Sequence, residues 1–159
     1  MDLGTIIAGI FMTAVCILPF VIMRRNRQKR EKQLLNAISE IADGHNCKIT
    51  QHETCANKVL GLAENDEALL FFKKGKEQDV DVKVFIDLSR IRKCSVLNTK
   101  RVINSAESII ERLELSFTSV NTREDYISIE LFNLKEDYQL DGELQLAERW
   151  ATMINQTLN

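Results

Sequence analysis

An uncharged run near the start of the chain, from Leu3 to Met23, limits the possible folds more than any other feature. Its twenty-one residues read LGTIIAGIFMTAVCILPFVIM. As a helix this run would be about 31 Å long, which matches the ~30 Å hydrocarbon core of a bilayer. A helix on the surface of a globular domain would have a polar face, and this run has none. The run therefore predicts a transmembrane helix at residues 1–23.

A cluster of basic residues follows the run directly and sets the expected orientation. We call these five residues the basic collar: Arg24, Arg25, Arg27, Lys29 and Arg30. Only Asp2 is charged before the run, so a cleaved signal peptide, which carries its positive charge first, fits poorly. Basic flanks stay in the cytoplasm during insertion. The pattern predicts a single-pass inner-membrane protein with its N-terminus outside, its C-terminal domain cytoplasmic, and the collar against lipid headgroups.

The remainder of the chain is acidic and has the length of one domain. Residues 33–159 carry fifteen basic and twenty-one acidic residues, a net charge of −6. Nothing outside the collar forms a basic stripe, so nucleic acid is not an expected partner. We expect a basic juxtamembrane segment and helix at residues 24–43 and a single folded domain at residues 44–159.

The stretch GHNCKITQHETC holds four side chains that could bind a metal: His45, Cys47, His52 and Cys55. Their spacing matches none of the paired patterns typical of zinc sites. Residues 47–53 alternate like a strand, which would put Cys47 on one face and His52 on the other. We therefore predict no metal site. Because a cytoplasmic compartment keeps thiols reduced, we also predict no disulfide.

Helical and strand periodicities describe the rest of the domain. Leu34, Ala37, Ile38 and Ile41 recur at helical spacing, which favours a helix that packs on its own domain, with a two-helix dimer contact as the alternative. Seven short strands are expected at residues 47–53, 57–63, 68–73, 80–88, 91–97, 110–119 and 126–132. Residues 98–108 are expected to be a polar connection. The strands predict an antiparallel sandwich or barrel.

One amphipathic helix is expected to close the domain. It begins at the capping residue Asp141 and carries an apolar stripe of Leu144, Ala147, Trp150 or Ala151, Ile154 and Leu158. Trp150, the only tryptophan, lies in this stripe and is predicted to anchor the core. The expected fold class is α+β: a transmembrane helix, then a seven-stranded sandwich or barrel closed by a C-terminal helix.

Two segments carry a resemblance to a known family. FIDLSRIRKCSV resembles the strand-turn-strand of small bacterial domains of the pleckstrin-homology-like type, and GELQLAERW resembles the start of their closing helix. Nearly the whole chain is similar to a family of uncharacterised bacterial single-pass membrane proteins with such a domain. The resemblance implies a fold and a membrane location, and no activity. The loop Thr54-Cys55-Ala56 lacks the basic residues of phosphoinositide-binding members, so inositide binding is not implied.

No motif in the sequence predicts catalysis or a cofactor. The six glycines are isolated, which excludes a glycine-rich phosphate loop, and no serine has the Gly-x-Ser-x-Gly context of a nucleophile. Cys94 follows two basic residues that could activate a thiol, but its strand position predicts an inert buried side chain.

Two functions of different classes fit these patterns. The first is a membrane-anchored interaction or scaffold domain that binds a protein partner on a strand edge or along the closing helix. The alternative is a module that binds anionic lipid headgroups. Its expected contacts are the basic residues of two loops: Lys73, Lys74, Lys76, Lys100 and Arg101.

Overall fold

The structure is a computed structural model that describes residues 3–76, 79–104, 107–120 and 127–158. These residues form two helices and seven strands. In chain order the elements are α1 Leu3–Gly44, β1 Ile49–Cys55, β2 Lys58–Ala63, β3 Ala68–Lys73, β4 Val82–Asp87, β5 Ile91–Asn104, β6 Glu107–Ser119, β7 Ile127–Asn133 and α2 Glu143–Thr157. Of the last predicted strand, residue 126 lies outside the described residues.

Helix α1 is a single helix of 42 residues that passes through the basic collar without a break. Residues 24–43 contain neither proline nor glycine and are rich in good helix formers, so nothing in them ends the helix. The boundary expected after residue 23 therefore lies inside α1.

The predicted membrane span is wrong. Within the described part of the chain, no helix is long and apolar enough to cross a membrane. The predicted inner-membrane location, with its N-out topology, is overturned with the span.

Strands β1 to β4 form the first sheet, in the order β1-β2-β3-β4 with all pairs antiparallel. The two-residue turn between β1 and β2 places Ala56 at a positive φ of 52°. Every residue of β2 is buried, and β3 is buried from Ala68 to Phe72. Side chains alternate between the two faces of a strand, so both faces of this sheet must be covered.

Strands β5 to β7 form the second sheet, in the order β5-β6-β7, also antiparallel. The pairing of β6 with β7 ends at Arg112 opposite Asn133, whereas β5 and β6 stay paired as far as Asn104 opposite Glu107. Residues 100–104 and 107–110 therefore extend beyond β7 as a two-stranded ribbon, which we call the β5–β6 ribbon.

The main core lies between the two sheets and α2. It contains Phe71 of the first sheet, Leu115 and Phe117 of the second, and Trp150 and Ile154 of α2, all buried. The expected fold, a transmembrane helix with one seven-stranded sandwich or barrel, is wrong: the strands form separate sheets of four and three, and neither closes. Short strands with alternating side chains predict antiparallel pairs, but they do not determine where a sheet ends.

A second core lies on the outer face of the first sheet, under α1. Leu34, Ile38 and Ile41 of α1 pack there against Leu70 and Phe72 of β3. The helix lies so close that a Cβ on Gly61 of β2 would be 2.8 Å from Cδ1 of Ile38. The prediction that this helix packs on its own domain is confirmed.

Candidate functional site

Helix α2 joins the edges of the two sheets. The indole Nε1 of Trp150 donates to Oε2 of Glu53 in β1, at 2.9 Å, and Arg149 forms an ion pair with the same carboxylate. On the other side of the helix, the Asn155 side chain bonds both backbone groups of Cys94 in β5: the Cys94 N–H donates to Oδ1 at 2.9 Å, and Nδ2 donates to the Cys94 carbonyl at 2.8 Å. Trp150 is buried, which confirms its predicted role as a core anchor.

Cys94 is buried as well, and burial raises the pKa of its thiol to about 12. A thiol with so high a pKa is almost entirely protonated at neutral pH, and a protonated thiol is a poor nucleophile. The prediction that Cys94 is buried is confirmed.

Beyond Cys94, no described group from outside the sheet is hydrogen-bonded to the outer edge of β5. Along a strand, the N–H and carbonyl groups of successive residues point alternately to one side and the other. Those of Cys94 point away from β6 and bond the Asn155 side chain. Asn98 lies four residues further in the same uninterrupted register, so its N–H and carbonyl face outward too. Within the described residues, no hydrogen bond from outside the sheet reaches the Asn98 backbone, and its side chain is exposed.

The β5–β6 ribbon continues this open edge and presents apolar side chains to solvent. Val102 is 73% exposed and Ile103 is 53% exposed, directly after the exposed Lys100 and Arg101. Sequence reasoning missed the ribbon, because residues 98–108 were expected to be a polar connection. The sequence has two apolar pairs, Val102-Ile103 and Ile109-Ile110, separated by five residues, and this spacing is a hairpin signal that could have located the ribbon.

A separate cleft of about 1030 Å³ lies where α1, the β1–β2 turn, the β3–β4 loop and the segment after β7 meet. We call it the end cleft. The residues that matter for its chemistry are Arg30, Leu34, Asn57, Lys74, Lys135 and Tyr138. The cleft therefore combines elements that lie far apart in the sequence.

A buried ion pair forms part of the wall of the end cleft. Lys58, only 2% exposed, donates from Nζ to Oδ2 of Asp137 at 3.2 Å and to Oδ1 of Asn57 at 3.1 Å. Asp137 also accepts from Nζ of Lys76 at 3.2 Å and from the Asn133 N–H at 3.3 Å. Burial opposes ionisation of Asp137, but the charge of Lys58 and these hydrogen bonds outweigh it and lower the pKa of the carboxyl.

The lysines proposed for headgroup binding are largely engaged within the protein. Nζ of Lys73 lies 3.1 Å from Glu130 and 2.7 Å from Glu136, and its side chain is mostly buried. Although burial opposes its charge, the two carboxylates raise the pKa of Lys73. Lys76 is paired with Asp137, while Lys74 donates to Oε1 of Gln33 at 2.8 Å.

The remaining predicted basic residues do not converge on one site. Lys100 and Arg101 lie on the β5–β6 ribbon and do not line the end cleft. Of the basic collar, only Arg30 lines the cleft; Arg24, Arg25, Arg27 and Lys29 are exposed further along α1. Headgroup binding by the predicted set stays a prediction, and Lys73 and Lys76 already have carboxylate partners.

The four side chains of the GHNCKITQHETC stretch lie in different environments. His45 stacks on Phe85 with ring centroids 3.8 Å apart, and His52 is exposed on β1. Cys47 packs against the core under α1, whereas Cys55 lies near Asp141, with Sγ 3.6 Å from the carbonyl oxygen. Burial and the nearby Glu143 raise the pKa of the Cys55 thiol to about 11. Among the described residues, no three histidine, cysteine or acidic side chains are grouped as metal ligands.

Comparison with known proteins adds no relative. No family model, curated protein or solved structure matches this chain. The resemblance to the pleckstrin-homology-like family therefore stays a prediction.

Proposed function

We propose that this chain is a non-catalytic protein-binding module that adds an extended segment of a partner to the open edge of β5. The observation that carries the proposal is that α2 bonds the outward-facing backbone of this edge at Cys94, whereas no described group from outside the sheet bonds the Asn98 backbone. A strand with unpaired N–H and carbonyl groups is a template for another strand. Strand addition supplies affinity through main-chain hydrogen bonds.

The side chains beside this edge favour a particular partner. Val102 and Ile103 offer apolar contacts, and Lys100 and Arg101 offer positive charge next to them. Exposed apolar residues rimmed by charged ones are typical of protein interaction surfaces. A segment that carries both apolar and acidic residues would complement the ribbon.

A second copy of this chain is a poorer partner. Antiparallel pairing of two ribbons in the register centred on residues 100 and 101 would bring the Lys100 and Arg101 side chains of both copies close together. Like charges placed opposite each other destabilise a strand pair. The proposal is therefore a different protein, and pairing of two copies is one of the outcomes that the test distinguishes.

The test is site-specific photo-crosslinking of the full chain in its native cells, with benzoylphenylalanine in place of Val102. A crosslinked protein should appear from this position and not from Thr152, an exposed residue on α2. Asn98→Pro should abolish the crosslink, because proline removes an outward N–H without breaking the bonds to β6. Asn98→Ala, which keeps that N–H, should retain it.

Three results would contradict the proposal. They are a crosslink that survives Asn98→Pro, a crosslink of equal strength from Thr152, and a crosslinked species of twice the mass of the chain. The last result would identify self-pairing instead.

A further inference from the structure

We propose that the end cleft is a second binding site, separate from the β5 edge, and that it takes an acidic segment of a polypeptide. It lies between α1 and the loops at one end of the domain, and none of its lining residues belongs to β5 or to the β5–β6 ribbon. The proposal therefore does not depend on strand addition.

The charges that line the cleft leave an excess of available positive charge. Of the acidic groups, Asp137 is neutralised by Lys58 and Lys76, and Glu136 is paired with Lys73 at 2.7 Å. Within the described residues, Arg30, Lys74 and Lys135 form no ion pair, and the lining carboxylate without an ion partner is that of Asp79. Three such cations against one carboxylate favour an anionic ligand.

The volume of the cleft and the apolar part of its lining indicate a ligand that has apolar groups as well as charged ones. At about 1030 Å³, the cleft reaches the upper end of the ~300–1,000 Å³ that is usual for ligand sites. Leu34, Ala56 and Leu134 provide apolar wall. Tyr138 is fully exposed at the cleft, and tyrosine is among the residues that most often dominate the energy of protein interfaces.

The arrangement of charges favours carboxylates along a peptide over a phosphate. The three available cations come from three different elements: Arg30 from α1, Lys74 from the β3–β4 loop and Lys135 from the segment after β7. The carboxylate of Asp79, which has no ion partner among the described residues, lies in the same lining, and it would repel a phosphate dianion more strongly than a single carboxylate. Glutamates spaced along an extended segment could each meet one cation.

The buried pair fixes this geometry before a ligand arrives. Asp137 is tied to β2 through Lys58, and the segment after β7 is tightened by the Glu136 N–H, which donates to the Asn133 carbonyl at 2.9 Å. The bond from Lys74 to Gln33 connects the β3–β4 loop to α1. A site that is already ordered loses less conformational entropy on binding.

The test measures fluorescence anisotropy of a fluorescein-labelled hexapeptide of alternating glutamate and leucine, titrated with the full chain. The Arg30→Gln/Lys135→Gln variant should bind the peptide about tenfold more weakly, the loss expected for two exposed contacts to carboxylates. The matched control is Lys48→Gln/Lys83→Gln, which removes the same charge at the other end of α1 and should change the affinity less than about twofold.

The remaining arms separate the alternatives. A hexapeptide of alternating lysine and leucine should not bind, and inorganic phosphate at constant ionic strength should not displace the acidic peptide. Absence of binding, equal losses in the two double variants, or displacement by phosphate would each overturn the proposal. Asn98→Pro should leave peptide affinity unchanged, so failure here and failure of strand addition at β5 are distinguishable.

Discussion

The interior under α2 and the β5–β6 ribbon differ in whether their polar groups are hydrogen-bonded and whether their apolar side chains are buried. Under α2, the indole of Trp150 and the backbone of Cys94 have hydrogen-bond partners, and every buried side-chain nitrogen or oxygen of the described residues is bonded. On the ribbon, Val102 and Ile103 are exposed, and no described group from outside the sheet bonds the neighbouring backbone of Asn98. One strand, β5, runs through both regions.

This difference shows which surface the chain completes by itself and which it does not. A buried polar group without a partner costs about 1–3 kcal/mol, so a folded interior satisfies such groups. An open strand edge in water has no such penalty, but it is a site for pairing with another chain. The ribbon is thus the part of β5 where a partner would replace what α2 supplies elsewhere.

The largest effect should come from breaking the covered region. We expect Trp150→Ala to lower the free energy of unfolding by about 3–5 kcal/mol, because it removes a large buried side chain and its bond to Glu53. Chemical denaturation followed by circular dichroism measures this. Val102→Ala on the ribbon should change it by less than about 0.5 kcal/mol. Equal effects from the two substitutions would show that the ribbon belongs to the core.

Removing the acidic partner of the buried lysine should have a somewhat smaller effect. Asp137→Ala leaves the charge of Lys58 buried without its carboxylate, and we expect a loss of about 3 kcal/mol in the free energy of unfolding. Asp79→Ala, at an exposed carboxylate of the same cleft, should cost less than about 0.5 kcal/mol. A double variant, Lys58→Met with Asp137→Leu, should recover most of the stability. If it does not, the two charges are not the origin of the loss.

Removing the hydrogen bonds from Asn155 would leave the Cys94 backbone without these partners, as at Asn98. Asn155→Ala removes both side-chain bonds to the Cys94 backbone and should lower the free energy of unfolding by about 1–2 kcal/mol. Gln156→Ala, at the exposed neighbouring position, is the control and should be nearly neutral. Denaturation midpoints of the two variants give the comparison, and similar midpoints would contradict the capping role.

The smallest expected effect is a dependence on pH. The folded protein lowers the pKa of Asp137, so this carboxylate stabilises the fold above its ordinary value of about 3.9, and the stabilisation is lost as pH falls below that value through the lowered pKa. The difference in melting temperature between the unsubstituted chain and Asp137→Asn should therefore shrink between pH 7 and pH 3. A difference that stays constant would show that the ionised carboxylate contributes nothing.

Local periodicity predicted the parts of the molecule that depend on nearby residues. The last strand was expected at residues 126–132 and lies at Ile127–Asn133. Trp150 in the stripe of α2 is buried, and so are Ile38 and Ile41 in the stripe of α1. In each case the spacing of apolar residues alone indicates the face that a neighbour must cover.

The sequence could not reveal the features that depend on distant pairing. Lys58 and Asp137 are 79 residues apart, and neither has a local pattern that marks a buried pair. The break between the two sheets and the extension of β5 and β6 beyond β7 depend on strand length and register, which alternation does not determine. The uncharged run at residues 3–23 was predicted to be a transmembrane helix from its length and apolar composition, and the described part of the chain has no helix that could span a membrane.

Amide hydrogen exchange at Cys94 and Asn98 in the free full-length chain tests the central claim most directly, because both residues turn their N–H groups away from β6. The Cys94 amide, bonded to Asn155, should be strongly protected, and the Asn98 amide should exchange at close to the rate of an unstructured peptide. Comparable protection at the two positions would show that the chain covers its own β5 edge, which would contradict the proposal that a partner strand is added there.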